Sequence, residues 1–149
     1  MAIAQHQIER VTRFFGGASG APKIKKAHIA SAAATETASG ITLPTKCVVK
    51  DVWIDVITID AGETVDVGTD GTSNDPDGYL DGAALGVAGI IKGSLANGAV
   101  TKGALLRENE DGAGAWVPSI DATAGGDNVT YTASAAGAAF DIYVEYVEL

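Results

Sequence analysis

The sequence predicts an all-β domain built as a two-sheet sandwich, and three features of composition and patterning support this prediction. Valine and isoleucine together number 25 against only 7 leucines, and branching at Cβ favours pleated strands over helices. Apolar and polar residues alternate over several short segments, which is the period of a strand. Nineteen glycines in 149 residues mark frequent turns. Together these features disfavour a helical bundle and an intrinsically disordered chain.

The first 22 residues are expected to form an arm that extends from the sandwich. Apolar side chains at helical spacing precede a Gly- and Pro-rich stretch at 16–22, which ends any helix. An isolated helix this short is marginal in water, so the adjacent Phe14 and Phe15 need a surface that buries them. That surface is either the chain's own body or a groove on a partner. The sandwich domain itself is expected to span 23–149.

Four segments that follow the arm have the two-residue alternation of strands. The longest, 47–60, has apolar residues on both faces, so we expect it to lie centrally, with its outer face covered or in contact with another subunit. On this alternation, the even-numbered residues of that segment share one face and the odd-numbered residues share the other. The other three predicted strands are 23–34, 37–44 and 61–68.

The middle of the chain is rich in glycine and aspartate and is expected to consist mostly of turns. Three Asp-Gly dipeptides within 69–82 predict tight turns, because aspartate bonds locally and glycine accepts a positive φ. Repeated glycines within 83–103 favour short strands or an ordered loop. The larger apolar residues of this stretch are expected to face inward, namely Val87, Ile90, Ile91 and Leu95.

The last third of the chain contributes the remaining strands, at 103–109, 116–121, 128–134 and 139–149. Pro118 limits the second of these to an edge position. In the final segment one face is apolar, as expected for a half-buried antiparallel strand; its residues are Phe140, Ile142, Val144 and Tyr146. The total is eight to ten short strands without an internal repeat, a pattern that predicts a sandwich of jelly-roll type with an extended N-terminal arm.

The net charge of −9 is unevenly distributed and limits the classes of partner. Residues 1–50 have a balance of +5, whereas residues 51–149 have a balance of −14. An acidic body repels nucleic acid and anionic membranes, so neither is an expected partner. The basic front segment is suited either to an acidic partner surface or to the acidic body of the same chain.

Motifs that would indicate catalysis or a cofactor are absent from the sequence, so no enzymatic activity, cofactor or metal is expected. A single cysteine, Cys47, excludes an intrachain disulfide and a multi-cysteine zinc site, and its apolar surroundings predict a buried thiol. His6 and His28 lie 22 positions apart without clustered ligands, and His28 is expected to be a half-buried strand residue. Paired acids such as Asp51 and Asp55 are expected to be solvated.

Two local patterns could bind a ligand, although in each case a structural role is the favoured interpretation. The aspartates of 70–81 are hard oxygen donors, but an EF-hand alignment places Ala84 where the bidentate acid is required. A solvated turn loop therefore fits better than a calcium site. Trp53, Trp116 and Tyr143 could form a carbohydrate-stacking platform, although core or subunit-interface positions are more common for aromatic residues.

Four motifs in residues 46–149 carry a resemblance to a known class of proteins. They are V-x-D-V-W-I-D-V from Val49, D-V-G-T-D-G from Asp66, D-x-D-G-Y-L-D from Asp75, and A-G-x-x-x-D-I-Y-V-E-Y from Ala136. In these motifs the chain resembles tailed-bacteriophage virion proteins, in particular the head decoration (cement) proteins. Residues 1–45 have no counterpart in the resemblance.

The resemblance implies a protein that is made in the host cytoplasm and binds the outer surface of the assembled capsid. The expected partner is the major capsid protein, whose subunits it would bridge and stabilise, and the expected assembly is a homotrimer. The residues expected to contact the capsid or neighbouring subunits lie in and just after the arm: Arg10, Arg13, Phe14, Phe15, Lys23, Lys25 and Lys26. The alternatives are another virion part (head fibre base, neck or tail) or a carbohydrate-binding adhesion module.

Overall fold

The described residues of the chain form ten β-strands. The structure is a computed structural model and describes residues 20–70, 75–93, 101–103, 120–121 and 127–149. The predicted arm residues Arg10, Arg13, Phe14 and Phe15 lie outside the described residues, as do Leu95 and Trp116. The strands are β1 Lys23–Ile29, β2 Thr37–Thr42, β3 Cys47–Thr58, β4 Thr64–Thr69, β5 Asp75–Ala84, β6 Gly89–Lys92, β7 Thr101–Lys102, β8 Ile120–Asp121, β9 Asn128–Ala133 and β10 Ala139–Glu148.

The strands form two antiparallel sheets, which confirms the predicted all-β sandwich. Sheet A has the order β1-β10-β3-β6, and β8 also pairs with β3; sheet B has the order β2-β9-β4-β5-β7. The chain crosses between the sheets at every connection except that from β4 to β5, so the other neighbouring strands within a sheet are not consecutive in sequence. As predicted, β3 lies centrally in its sheet, with β10 on one side and β6 and β8 on the other.

The core lies between the sheets and is built mainly from β-branched and aromatic side chains. Tyr131 of sheet B meets Phe140 of sheet A edge to face, with ring centroids 5.7 Å apart. Full burial of a valine, isoleucine, leucine or phenylalanine side chain contributes about 1.5–3 kcal/mol to stability. Valine, isoleucine and phenylalanine can therefore stabilise this core with few leucines. Fully buried side chains include Val52, Ile54, Val65, Val67, Leu80, Leu85, Val129, Phe140, Ile142 and Val144. The predicted inward face of the last strand is thus confirmed.

The predicted alternation of β3 is wrong at its first half. Cys47 and Val49 are buried there, whereas the buried positions further along are even-numbered and begin at Val52. The pairing with β10 shifts between Val49 and Asp51, which leaves Lys50 as an extra, exposed residue. Such a bulge inserts one residue and exchanges the faces of the strand. The buried thiol of Cys47, 1% exposed, confirms the prediction for the lone cysteine.

The prediction of turns throughout 69–82 is also wrong in part, because β5 begins at Asp75. The Asp-Gly pair at 81–82 gives the expected positive φ, 71° at Gly82. The dipeptide has a different role from the one predicted, however. The register between β4 and β5 is shifted at this pair, and the Gly82 N–H donates to the Asp66 carboxylate at 2.8 Å. The dipeptide therefore forms a bulge within a strand pair rather than a chain reversal.

The inward orientation predicted for the apolar residues of 83–103 is wrong for two of them. Val87 is 68% exposed and Ile90 is 66% exposed, whereas Ile91 packs against the core. Because strand side chains alternate between faces, only one of two adjacent isoleucines in β6 can reach the interior.

Candidate interaction face

The outward surface of sheet A carries a compact set of aromatic, aliphatic and charged side chains, and we call this surface the ladder face. These residues occupy the strand positions opposite to the buried ones, so alternation alone turns them away from the core. Strand register then places them in rows across four strands. The members are Ile24, Lys26 and His28 of β1; Asp141, Tyr143 and Glu145 of β10; Asp51, Trp53, Asp55 and Ile57 of β3; and Ile90 and Lys92 of β6.

A continuous row of stacked groups crosses the middle of the ladder face. Lys26 pairs in register with Tyr143, Tyr143 with Trp53, and Trp53 with Lys92. The two rings stack with centroids 5.5 Å apart and an interplanar angle of 5°. At the two ends, Lys26 Nζ lies 5.3 Å from the Tyr143 centroid and Lys92 Nζ lies 4.4 Å from the Trp53 centroid. Each such contact favours the assembled row.

The row covers both faces of both rings. Tyr143 lies between β1 and β3, with Lys26 on one side and Trp53 on the other, and Trp53 lies between Tyr143 and Lys92. Stacking of a sugar requires an open ring face, whereas here only the ring edges remain for a ligand. The arrangement therefore disfavours these two residues as a carbohydrate-stacking platform.

Asp141 organises the charged row beside the rings. Its side chain is 8% exposed, and its two oxygens contact Lys26 Nζ at 2.6 Å and His28 Nδ1 at 2.7 Å. A carboxylate oxygen only accepts, so Nδ1 of His28 donates this bond. Burial tends to raise the pKa of Asp141, but the hydrogen bonds from Lys26 and His28 outweigh it and lower that pKa below its usual value. The Asp141 and Tyr143 side chains in turn raise the pKa of Lys26.

His28 differs from its prediction in two respects. It does lie on a strand, as expected, but its side chain is 55% exposed rather than half-buried. Its carboxylate partner lies directly across the strand pair, at the register position of Asp141. Because 113 residues separate the two in sequence, only the register of β1 with β10 reveals this pair.

The ladder face as a whole is acidic. Asp51 forms an ion pair with Lys92 at 3.4 Å, and Asp141 is held by Lys26 as described. Asp55 and Glu145 have no ion pair with any of the described residues. Four carboxylates therefore share the face with two lysines, and Asp55 lies directly opposite Asp141 in the register.

The three lysines predicted as contact residues are all on the edge strand β1, but they point to different surroundings. Lys23 forms an ion pair with Glu148 at 2.7 Å, and this hydrogen bond raises the pKa of Lys23. Lys25 reaches towards sheet B and donates to the Thr42 carbonyl. Only Lys26 belongs to the ladder face. The side chains of Lys23 and Lys26 remain 43% and 52% exposed, respectively.

A second acidic surface lies along β4 and β5 of sheet B. Burial is the main cause that raises the pKa of Asp66, with the charges of Asp81 and Asp77 adding to it. Burial, together with a hydrogen bond to Asp77, likewise raises the pKa of Asp75. Among the described residues, no group of three or more histidine, cysteine or acidic side chains is placed to hold a metal ion.

Asp70, one of the oxygen donors in the predicted loop, has a structural contact. Its carboxylate accepts from the backbone N–H of Asn128 at 2.9 Å and from the side-chain amide of the same residue at 3.0 Å. These bonds tie the end of β4 to the start of β9, so both Asp70 oxygens already serve to join two strands of sheet B.

Comparison with known proteins identifies the fold. No protein-family model and no curated protein matches this sequence. Among solved structures, a chain of the cyanophage Pam1 capsid asymmetric unit is similar, with a TM-score of 0.57 and 15% sequence identity over 89% of this chain and 89% of that chain. The two chains share a fold over most of their lengths. In the described part of this chain, no helix has the length and apolar character needed to cross a membrane.

Proposed function

We propose that this chain is a structural protein of a tailed-bacteriophage virion, and that it decorates the outer surface of the assembled head. There it would stabilise the head by bridging subunits of the major capsid protein. The observation that carries the proposal is the fold shared with a chain of a phage capsid asymmetric unit over 89% of both lengths. The motif resemblance of residues 46–149 to head decoration proteins supports it independently. The protein would be made in the host cytoplasm and act as a homotrimer without binding nucleic acid or membrane.

The sandwich is proposed to be of jelly-roll type, and the strand order supports this. Eight strands form two four-stranded rows, β1-β10-β3-β6 in sheet A and β2-β9-β4-β5 in sheet B, and the chain changes sheet at every step except from β4 to β5. First and last strands are neighbours in sheet A, as are the second and the penultimate strands in sheet B. This pattern is the one expected when two Greek keys wrap into a double sheet. The short strands β7 and β8 extend the two rows.

The proposed role is binding rather than catalysis. On the ladder face, the groups that could act in a reaction are engaged by one another: Lys26 and His28 share one carboxylate, and the two aromatic rings are stacked. A rigid surface of this kind suits a contact with another protein. High solubility, which a net charge of −9 favours, also suits a protein needed in many copies.

The arm is proposed to supply the contact to the capsid. It precedes β1, the edge strand of sheet A, in the sequence. Arg10, Arg13, Phe14 and Phe15 would bind the capsid or a neighbouring subunit, assisted by Lys23, Lys25 and Lys26 on β1. Ordering such a segment has an entropic cost that its new contacts must exceed, and repetition over a lattice adds many weak contacts.

The test is co-sedimentation with heads that lack the protein. Full-length protein is expected to bind, and deletion of residues 1–22 is expected to abolish binding while the far-UV circular dichroism of the body stays unchanged. Arg10→Ala with Arg13→Ala should weaken binding. The matched control is Lys46→Ala with Lys50→Ala, which removes the same charge from two exposed residues of the body and should leave binding intact.

Two outcomes would contradict parts of the proposal. Full retention of binding by the truncated chain would refute the role of the arm. Imaging of purified virions gives the copy number: hundreds per particle support decoration, whereas a dozen or fewer would place the protein in the neck or tail and refute decoration.

A further inference from the structure

Aromatic rings lie at the centre of the ladder face and remain partly in water. Trp53 and Tyr143 are half-buried, and because they stack on each other and between two lysines, their edges are what a partner would meet. Aromatic residues at the centre of a surface, surrounded by polar ones, are typical of a protein–protein contact. The positive edge of a ring repels a cation, so an apolar side chain is the group that fits over this row.

A pair of carboxylates lies on each side of the aromatic row. Asp55 of β3 is directly opposite Asp141 of β10, and Asp51 is directly opposite Glu145. Like charges at directly opposite positions destabilise a strand pair, so both pairs cost stability in the isolated chain. Asp141 and Asp51 are each held by a lysine. Asp55 and Glu145, in contrast, form neither an ion pair nor a side-chain hydrogen bond with any residue that the structure describes.

These two carboxylates without an ion pair flank the rings at a spacing that the strands fix. Asp55 is four residues from Asp51 on β3, which corresponds to about 13 Å along the strand, and Glu145 lies level with Asp51. The aromatic row lies between them. A partner that satisfies both carboxylates must therefore present two cations about 13 Å apart along the strand direction, with an apolar group between them. Residues i and i+4 of an extended segment have this spacing and share one face with residue i+2.

We propose that the ladder face binds a basic, extended segment of a partner protein. Two cationic side chains would bind Asp55 and Glu145, and an apolar side chain between them would cover the edges of the two rings. This contact is additional to the proposed function, in which the arm binds the capsid. Charge complementarity identifies the occupant, because the four carboxylates of the face repel a nucleic acid or a second acidic body. Arginine suits the two end positions, since its planar guanidinium donates two parallel hydrogen bonds to one carboxylate.

The experiment is a titration of isotope-labelled full-length protein, followed by two-dimensional NMR at low salt. The probe is a blocked peptide of sequence Gly-Arg-Ser-Leu-Ser-Arg-Gly. The indole N–H of Trp53 and the backbone amides of β3 and β10 are expected to shift and to saturate. A peptide of the same composition with adjacent arginines, Gly-Arg-Arg-Ser-Leu-Ser-Gly, cannot reach both carboxylates from one face. It should bind about 2- to 5-fold more weakly, which is the contribution of one solvent-accessible ion pair.

A double substitution tests the two carboxylates and keeps the size of their side chains. Asp55→Asn with Glu145→Gln is expected to lower the affinity for the first peptide by about 10-fold, because two ion pairs are lost. The matched control is Asp77→Asn with Asp81→Asn, which removes the same charge from two exposed residues of β5 in the other sheet. This control should bind the peptide like the unmodified chain. Unchanged far-UV circular dichroism would establish that each variant folds.

Several results would overturn this assignment: no saturable shift on the ladder face, equal binding of the two peptides, or an equal loss of affinity in the control variant, which would indicate attraction to overall charge alone. Binding that appears only in Arg10→Ala with Arg13→Ala would show that the chain's own arm occupies the face, and it would overturn the assignment to a separate partner. Because no capsid is present, the outcome is separate from head binding.

Discussion

Replacement of Asp141 by asparagine is expected to destabilise the protein at neutral pH, because this buried carboxylate accepts hydrogen bonds from Lys26 and His28. Lys26 Nζ and His28 Nδ1 contact its two oxygens at 2.6 and 2.7 Å. The Asp141→Asn variant keeps the size of the side chain but removes its charge and presents a donor, Nδ2, to one of the two donors Lys26 and His28. The perturbation therefore tests the charge network rather than the packing.

The expected loss in the free energy of unfolding depends on how many hydrogen bonds Asp141 accepts and on how exposed its partners are to solvent. A hydrogen bond to a charged group contributes about 1.5–3 kcal/mol in favourable surroundings. The side chains of both partners are more than half exposed, 52% for Lys26 and 55% for His28, so solvent screens much of this attraction. Removal of the charge also relieves repulsion from Asp55 across the strand pair. We expect a net loss of about 1 kcal/mol in the free energy of unfolding.

The pH dependence of the loss has a definite sign. The pKa of Asp141 is lowered from 3.8 in the folded state, so its stabilising contribution is complete above 3.8 and is lost as the pH falls through the lowered value. The difference between the unmodified chain and Asp141→Asn should therefore be constant at neutral pH and disappear in acid.

The assay is urea denaturation followed by far-UV circular dichroism, at neutral pH and in acid. The matched control is Asp55→Asn, since Asp55 lies opposite Asp141 in the register and forms no ion pair with the described residues. This control should leave stability unchanged or raise it slightly. An equal loss in Asp55→Asn, or a deficit in Asp141→Asn that persists in acid, would refute the reasoning.

Three further predictions concern the interior and sheet B. Asp66→Asn should raise the free energy of unfolding by about 0.5 kcal/mol at neutral pH, because burial and the charge of Asp81 raise the pKa of this aspartate; urea titration should show the gain vanishing as the carboxyl group protonates in acid. Phe140→Ala should cost about 3–5 kcal/mol in the same assay, since this fully buried ring leaves a cavity, and a loss below 1 kcal/mol would contradict the core assignment. Gly68→Ala should cost about 1–3 kcal/mol, because a Cβ there would overlap the backbone carbonyl of Asp75; an unchanged midpoint would show that the two strands separate easily.

The sequence was sufficient for the elements whose alternation is simple. For β10, the two-residue period correctly assigned Phe140, Ile142, Val144 and Tyr146 to the buried face, because the extra residues in its pairing with β3 lie on β3. It was insufficient where a bulge intervenes. The faces of β3 exchange at Lys50, and the Asp-Gly pair at 81–82 lies within a strand pair. A bulge depends on how two strands pair, and the sequence of one strand does not contain that information.

The ladder face likewise combines features that the sequence predicts with features that only strand pairing creates. Alternation placed Tyr143 opposite the apolar face of β10, and it placed Trp53 among the odd-numbered residues of β3 without deciding which face of β3 is outward. The two residues are 90 positions apart in the sequence, and nothing local predicts that they stack. Lys92 and His28 lie on the ladder face because β6 pairs with β3 and β1 pairs with β10. Val87 and Ile90 were predicted to face inward but are exposed, because periodicity identifies a face of a strand but does not say which face meets the core.

By itself, the sequence determined the class of fold, the strand-rich composition, the buried cysteine and the separation of a basic front segment from an acidic body, since these follow from local preference and from the counting of charges. The tertiary structure decided the strand register, and with it the stacked row, the shared carboxylate of Asp141 and the exposure of Val87 and Ile90. The physical reason is that in an antiparallel sandwich most contacts join residues far apart in the chain, so the chemistry of a surface is set by pairing that no short segment specifies.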